Sequence, residues 1–134
     1  APPGATRSRC GLLSPPELRV STGDHTARAV GWALAKFLGE MAPFPVGPYI
    51  LASLLRCSVY LLFSLRAGRA SEIHFELFRE SIRLPRKGRD EALAGLVGEY
   101  ACRLEHFCLR APLQWFNFYD FWHLSTVETA HASR

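Results

Sequence analysis

The clearest period along the chain lies in its last third. Leu93, Leu96, Val97, Tyr100, Leu104, Phe107 and Cys108 recur at steps of three and four residues. That spacing gathers all seven on one stripe of a helix. Asp90 stands where a capping side chain is wanted, and Pro112 ends the helix because it has no N–H to donate. Upstream, Val59-Tyr60-Leu61-Leu62-Phe63 forms an unbroken apolar run within Ser58–Leu65. A run this short and this rich in aromatic and branched side chains predicts a buried central strand. The chain then turns through Arg66–Ser71, which contains Gly68. From Glu72 to Phe78 the residues alternate, with Ile73, Phe75 and Leu77 on one side and Glu72, His74 and Glu76 on the other. Alternation predicts a half-buried strand, antiparallel to its neighbour.

Other stretches are read from their turn chemistry. Phe44-Pro45-Val46-Gly47-Pro48 predicts a rigid turn, with Pro48 opening a helix over Tyr49–Arg56, where a missing N–H costs nothing. Residues 28–41 stay open between two readings. Val30, Trp32 and Leu34 alternate with Gly31, Ala33 and Ala35 as in a strand, whereas the alanines, Phe37, Leu38 and Met41 fit a helix. Residues 1–16 carry Pro2, Pro3, Pro15 and Pro16 and are expected to be a flexible arm. Glu17 to Val20 can begin a short strand, and Thr22-Gly23-Asp24-His25-Thr26 is a polar turn. The polar end, 123–134, is expected to fray.

Composition narrows the class without choosing a function. The 134 residues are 49% hydrophobic and 21% charged, which excludes a disordered tail or a low-complexity linker. The formal charge is +4, and the cations are mostly arginine. Such an excess suits an anionic partner, and guanidinium favours phosphate, but genomic base composition gives the same bias. The four cysteines, Cys10, Cys57, Cys102 and Cys108, form no C-x-x-C pair and no zinc spacing. They read as reduced thiols, with Cys57 and Cys108 as small core residues. No metal site is expected. The opening residues lack a basic stretch followed by an apolar one, so no signal peptide is expected there. Residues 41–65 carry a single charge, Arg56, yet Pro43, Pro45 and Pro48 crowd their start. A buried helix followed by a buried strand fits better than a membrane span.

Four groupings have chemistry to offer. His123 and Glu128 have the H-x4-E spacing of a base and its orienting carboxylate, but two positions in a polar tail are a weak signal. Asp24 beside His25 suits either a polar-substrate contact or an ordinary Asx turn. Arg83, Arg86, Lys87 and Arg89 form an acid-free connector that suits anionic headgroups or plain solvent. Residues 115–122, Trp-Phe-Asn-Phe-Tyr-Asp-Phe-Trp, suit both core closure and a membrane interface. Phosphate-binding and dinucleotide-binding glycine loops, the nucleophile elbow and H-E-x-x-H are all missing.

Taken in order, several motifs resemble one family. Gly23-Asp24-x-Thr26 precedes Phe37-Leu38-Gly39, Phe44-Pro45-x-Gly47-Pro48 and Val59-Tyr60-Leu61-Leu62-Phe63-x-Leu65-Arg66. Ile73-x-Phe75-Glu76 and Leu84-Pro85-Arg86-x-Gly88-Arg89 follow. The most specific piece is Pro112-x-Gln114-Trp115-Phe116-Asn117-Phe118. Over residues 17–122 the chain resembles the C-terminal half of the lipid A biosynthesis acyltransferases of the lauroyl/myristoyl type. These belong to the lysophospholipid acyltransferase-like superfamily. The resemblance implies an α/β fold, with a mixed sheet flanked by helices, seen as the C-terminal part of a larger domain. It implies O-acyl transfer at the cytoplasmic face of the bacterial inner membrane. The donor would be acyl carrier protein or acyl-CoA, and the acceptor a hydroxyl on a glycolipid or lipid-like molecule, with no cofactor and no nucleic acid.

Substrate contact then falls to Gly23, Asp24 and His25, pocket shape to Phe44, Pro45, Gly47 and Pro48, and contact with phosphate or the membrane surface to Arg83, Arg86 and Lys87. The family's catalytic dyad, a His with an acid five positions on, lies N-terminal of the Gly-Asp loop. No histidine precedes His25, and His123/Glu128 is at the wrong end, so no catalytic residue is assigned. The stretch is not expected to turn over alone. Asp24-His25 stands where the family usually has Asp-Gln, and the tail is more aromatic, so the acceptor is not fixed. The alternative reading is a non-catalytic basic module that binds anionic membrane or nucleic acid.

Overall fold

The computed structural model describes residues 31–115 and 121–122. The open stretch before residue 41 resolves as a strand, β1 (Trp32–Phe37), paired antiparallel with β2 (Glu40–Pro45). Two residues link them, Leu38 at φ 51° and Gly39 at φ 93°. A two-residue hairpin needs positive φ there, which glycine adopts freely and leucine does not. Leu38 is held by a tertiary contact, its N–H donating to Glu105 Oε2 at 2.7 Å. That long-range contact is why local periodicity left the segment undecided.

The expected rigid turn is instead a strand end running directly into a helix. Phe44 and Pro45 finish β2, and α1 spans Gly47–Leu55 with Pro48 in its first turn. Val46 makes the junction: its N–H donates to Gly31 O, and its carbonyl accepts from the N–H groups of Tyr49 and Ile50. The helix ends at Arg56, in the left-handed region at φ 51°.

A second hairpin follows, β3 (Val59–Ala67) with β4 (Ala70–Arg79), in the antiparallel register Leu62↔Phe75 and Phe63↔His74. Gly68, at φ 64°, opens its two-residue loop. Two expectations need correction here. First, β3 is not a buried central strand. It pairs only with β4 among the described residues, and of its run Tyr60 and Leu62 lie exposed while Leu61 is buried. A strand covered on one side must alternate, however apolar its sequence. Second, the apolar face of β4 is the one turned outward. Ile73, Phe75 and Leu77 are exposed, and Glu72, His74 and Glu76 lie on the other face, where their partners are on α2. Both sheets are two-stranded and antiparallel, so the described residues mix helix and strand without forming one mixed sheet.

The long helix α2 (Arg89–Arg110) is the spine. Leu93, Val97, Tyr100, Leu104, Phe107 and Cys108 are buried as the stripe predicts, and Leu96 is partly so. Its start differs from expectation. Gly88, at φ 74°, is the capping position and no side chain caps the helix; Asp90 and Glu91 sit in the first turn, where their charge suits the helix dipole. Its end is as expected, since Pro112 begins a short 3₁₀ turn, Pro112–Gln114. Cys108 is buried, but Cys57 is exposed after the end of α1 and is no core residue. Among the described residues no helix is long and apolar enough to cross a membrane.

Candidate functional site

The site is a nest of aromatic rings built on Phe37 and Phe44, both fully buried. Alternation on β1 and β2 turns Ala35, Phe37, Ala42 and Phe44 inward, and α2 offers small Ala101 opposite them. Small residues leave room for the rings. Phe37 meets Phe44 edge-on at 5.7 Å, Trp115 at 5.2 Å and Phe121 at 5.8 Å, and stacks with Trp122 at 6.0 Å. Phe44 also touches Phe121 at 5.3 Å and Tyr100 at 6.0 Å. Edge-to-face packing sets the positive rim of one ring on the negative face of another. The Trp122 indole N–H donates to Phe37 O at 3.3 Å, tying the far end of the chain to β1. The Trp115 indole N–H is buried with no acceptor among the described residues.

A polar clamp sits beside the nest. The Gln114 amide reads the backbone of Arg66 as a neighbouring strand would: the Arg66 N–H donates to Gln114 Oε1 at 2.6 Å, and Gln114 Nε2 donates to Arg66 O at 2.9 Å. One side chain thereby occupies a rung at the free edge of β3. Neither this clamp nor the nest is visible in local sequence pattern, because each joins segments far apart in the chain.

A second feature that sequence reading missed runs between β4 and α2. Three ion pairs follow one another in opposite chain directions: Glu72 with Arg110, Glu76 with Arg103, and Arg79 with Glu99. Arg103 grips Glu76 through two bonds of 2.7 and 2.6 Å. His74 lies within 2.6 Å of Glu72 and rests its ring on Phe107 at 4.8 Å. The signal available in sequence was the two-residue period of Glu72, His74 and Glu76, matched by Glu99, Arg103 and Arg110 on one side of α2. An open groove of about 590 Å³ lies along the ladder, over Gly95, Gly98 and Cys102. Both guanidinium groups on its walls, Arg79 and Arg103, are already engaged by carboxylates, so the groove offers no free cation to an anionic ligand.

The Glu72 carboxyl is held below its ordinary value, chiefly by the hydrogen bond from Arg110 and less by His74, against a desolvation that pushes it up. A depressed carboxyl stabilises the fold above its unfolded value of 4.5 and loses that contribution as pH falls through the folded one. In a carbon-detected NMR titration, the Glu72 carboxyl is expected to titrate below 4.5, and Arg110→Met is expected to move the midpoint upward. An unmoved midpoint would contradict the pairing.

The expected site residues are placed unevenly. Phe44 and Pro45 are buried, and Gly47 and Pro48 are half-buried at the start of α1, so this group borders the nest. Arg83, Arg86 and Lys87 are all exposed on the connector before α2, and no ion pair holds them among the described residues. Gly23, Asp24, His25, His123 and Glu128 lie outside the described residues, as do residues 1–16 and 123–134. Among the described residues no group of three metal-binding side chains gathers. Comparison of the chain with protein-family models, with curated proteins and with solved structures gave no match.

Proposed function

We propose that the chain is the C-terminal portion of a membrane-associated O-acyltransferase, transferring a fatty acyl group from acyl carrier protein or acyl-CoA to a hydroxyl of a glycolipid or lipid-like acceptor. The observation that carries this reading is convergence. The segments on which the resemblance rests are far apart in sequence, yet Phe37, Phe44, Trp115, Phe121 and Trp122 meet in one nest, and Gln114 clamps Arg66 beside it. A shared motif order with no shared site would not require that.

In this reading the nest fixes the wall of an acyl pocket, with Phe44, Pro45, Gly47 and Pro48 shaping its rim. Gly23, Asp24 and His25 contact the acceptor, and the exposed Arg83, Arg86 and Lys87 meet phosphate at the cytoplasmic face of the inner membrane. The base that takes the proton from the acceptor hydroxyl comes from a His-x4-Asp or His-x4-Glu dyad upstream of this chain.

The test has two arms. The DNA preceding the codon for Ala1 is sequenced, and the 134-residue chain and the extended chain are each given a radiolabelled acyl thioester and a glycolipid acceptor. The expected result is an in-frame His-x4-acid segment, transfer by the extended chain, and none by the shorter one. No such segment, or turnover by the shorter chain that His123→Ala abolishes, would overturn the reading. So would steeply salt-dependent nucleic-acid binding by an extended chain that transfers nothing.

A further inference from the structure

The outer face of the β3–β4 ribbon is apolar and uncovered among the described residues. Tyr60, Leu62, Ile73, Phe75 and Leu77 stand on it, each half to two-thirds exposed, with Ser64 beside Ile73 and the Arg66–Ser71 rung between them and the hairpin tip. Tyr60 and Phe75 are stacked flat at 4.8 Å with an interplanar angle of 5°, so the centre of the face is a smooth platform. Five side chains exposed to this degree present about 600 Å². Two copies face to face would bury about 1,200 Å², the lower bound of a standard specific interface.

From this face we infer that the chain forms a two-fold dimer, outer face against outer face, with the two ribbons antiparallel. Three observations favour a second copy. The face holds no charge at its centre, so a two-fold axis through it sets no like charges together. Unpaired groups of opposite sign stand at the ribbon's ends, Arg79 at the base being held by Glu99. Its tip carries Arg66 and Arg69, and its base ends at Glu80, and neither Arg69 nor Glu80 has an ion-pair partner among the described residues. Antiparallel stacking brings each tip over the partner's base. A lipid surface fits less well. The backbone groups of Leu62 and Ser64 on the free edge of β3 continue the series that Gln114 occupies at Arg66, and in hydrocarbon they would lack partners. Sheet-on-sheet packing leaves that edge in water. The inference stands apart from the acyl-transfer reading, since it uses none of the residues given a substrate, pocket or phosphate role there.

Sedimentation equilibrium of the full 134-residue chain tests it. A dimer at tens of micromolar is expected, with a melting temperature that rises with protein concentration. Leu62→Glu with Phe75→Glu should weaken association at least a hundredfold while leaving the circular dichroism spectrum unchanged, because both side chains are exposed in the single copy. Glu80→Arg should weaken it about tenfold, and adding Arg66→Glu and Arg69→Glu should restore it. That second set leaves the apolar side chains alone and stays informative if the double glutamate variant unfolds. A monomer at 200 μM would overturn the inference, as would a dimer indifferent to both sets. So would a monomer that binds phosphatidylglycerol vesicles through Leu62 and Phe75.

Discussion

Replacing Phe44 by alanine is expected to cost about 3–5 kcal/mol of unfolding free energy, the range for deleting a buried aromatic ring that its surroundings cannot refill. The residue is fully buried and touches Phe37 on β1, Tyr100 on α2 and Phe121 beyond the last helix, three separate segments at once. The backbone around it has little freedom to close the gap. Pro43 and Pro45 flank it, and Val46 is fixed to Gly31 on one side and to the first turn of α1 on the other. Small domains are stable by only about 5–15 kcal/mol, so the variant should unfold early in urea. Urea titration followed by circular dichroism measures the shift. A loss below about 1 kcal/mol would mean that the nest is not packed as described.

The second large effect is expected at Phe121. Its ring is almost fully buried against Phe37, Phe44, Trp115 and Trp122. Truncation to alanine should cost about 3 kcal/mol, as for other buried rings. Trp122→Phe, which keeps an aromatic ring but removes the N–H that reaches Phe37 O, should cost only about 1 kcal/mol. The contrast between the two separates ring burial from the hydrogen bond. The same urea titration reads both, and equal losses would assign the stabilisation to the bond.

Much of the fold was legible where one face of an element meets one neighbour. The stripe from Leu93 to Cys108 is buried as its period requires, and Pro112 ends the helix where it must. The alternation of residues 72–78 gave the correct strand and the correct pairing. What it did not give is which face turns inward. Hydrophobicity alone would bury Ile73, Phe75 and Leu77. The helix packed against β4 instead carries Glu99, Arg103 and Arg110, and their partners on β4 are charged. The identity of the facing element decides such cases, and local pattern does not contain it. The same holds for residues 32–45, where a leucine at positive φ is held from 67 positions away. Of the candidate site, Phe44 and the tail aromatics were legible as residues. Their convergence on Phe37 was not, since no spacing rule links strand β1 to position 121.

The central claim is that this convergence exists in solution. Isotope-edited nuclear Overhauser spectroscopy of the aromatic rings tests it most directly. The account predicts cross-peaks from Phe37 to Phe44, Trp115, Phe121 and Trp122, with the Trp122 indole proton protected from exchange. Phe121 and Trp122 resonating as in an unfolded peptide, with no cross-peak to Phe37 or Phe44, would contradict it.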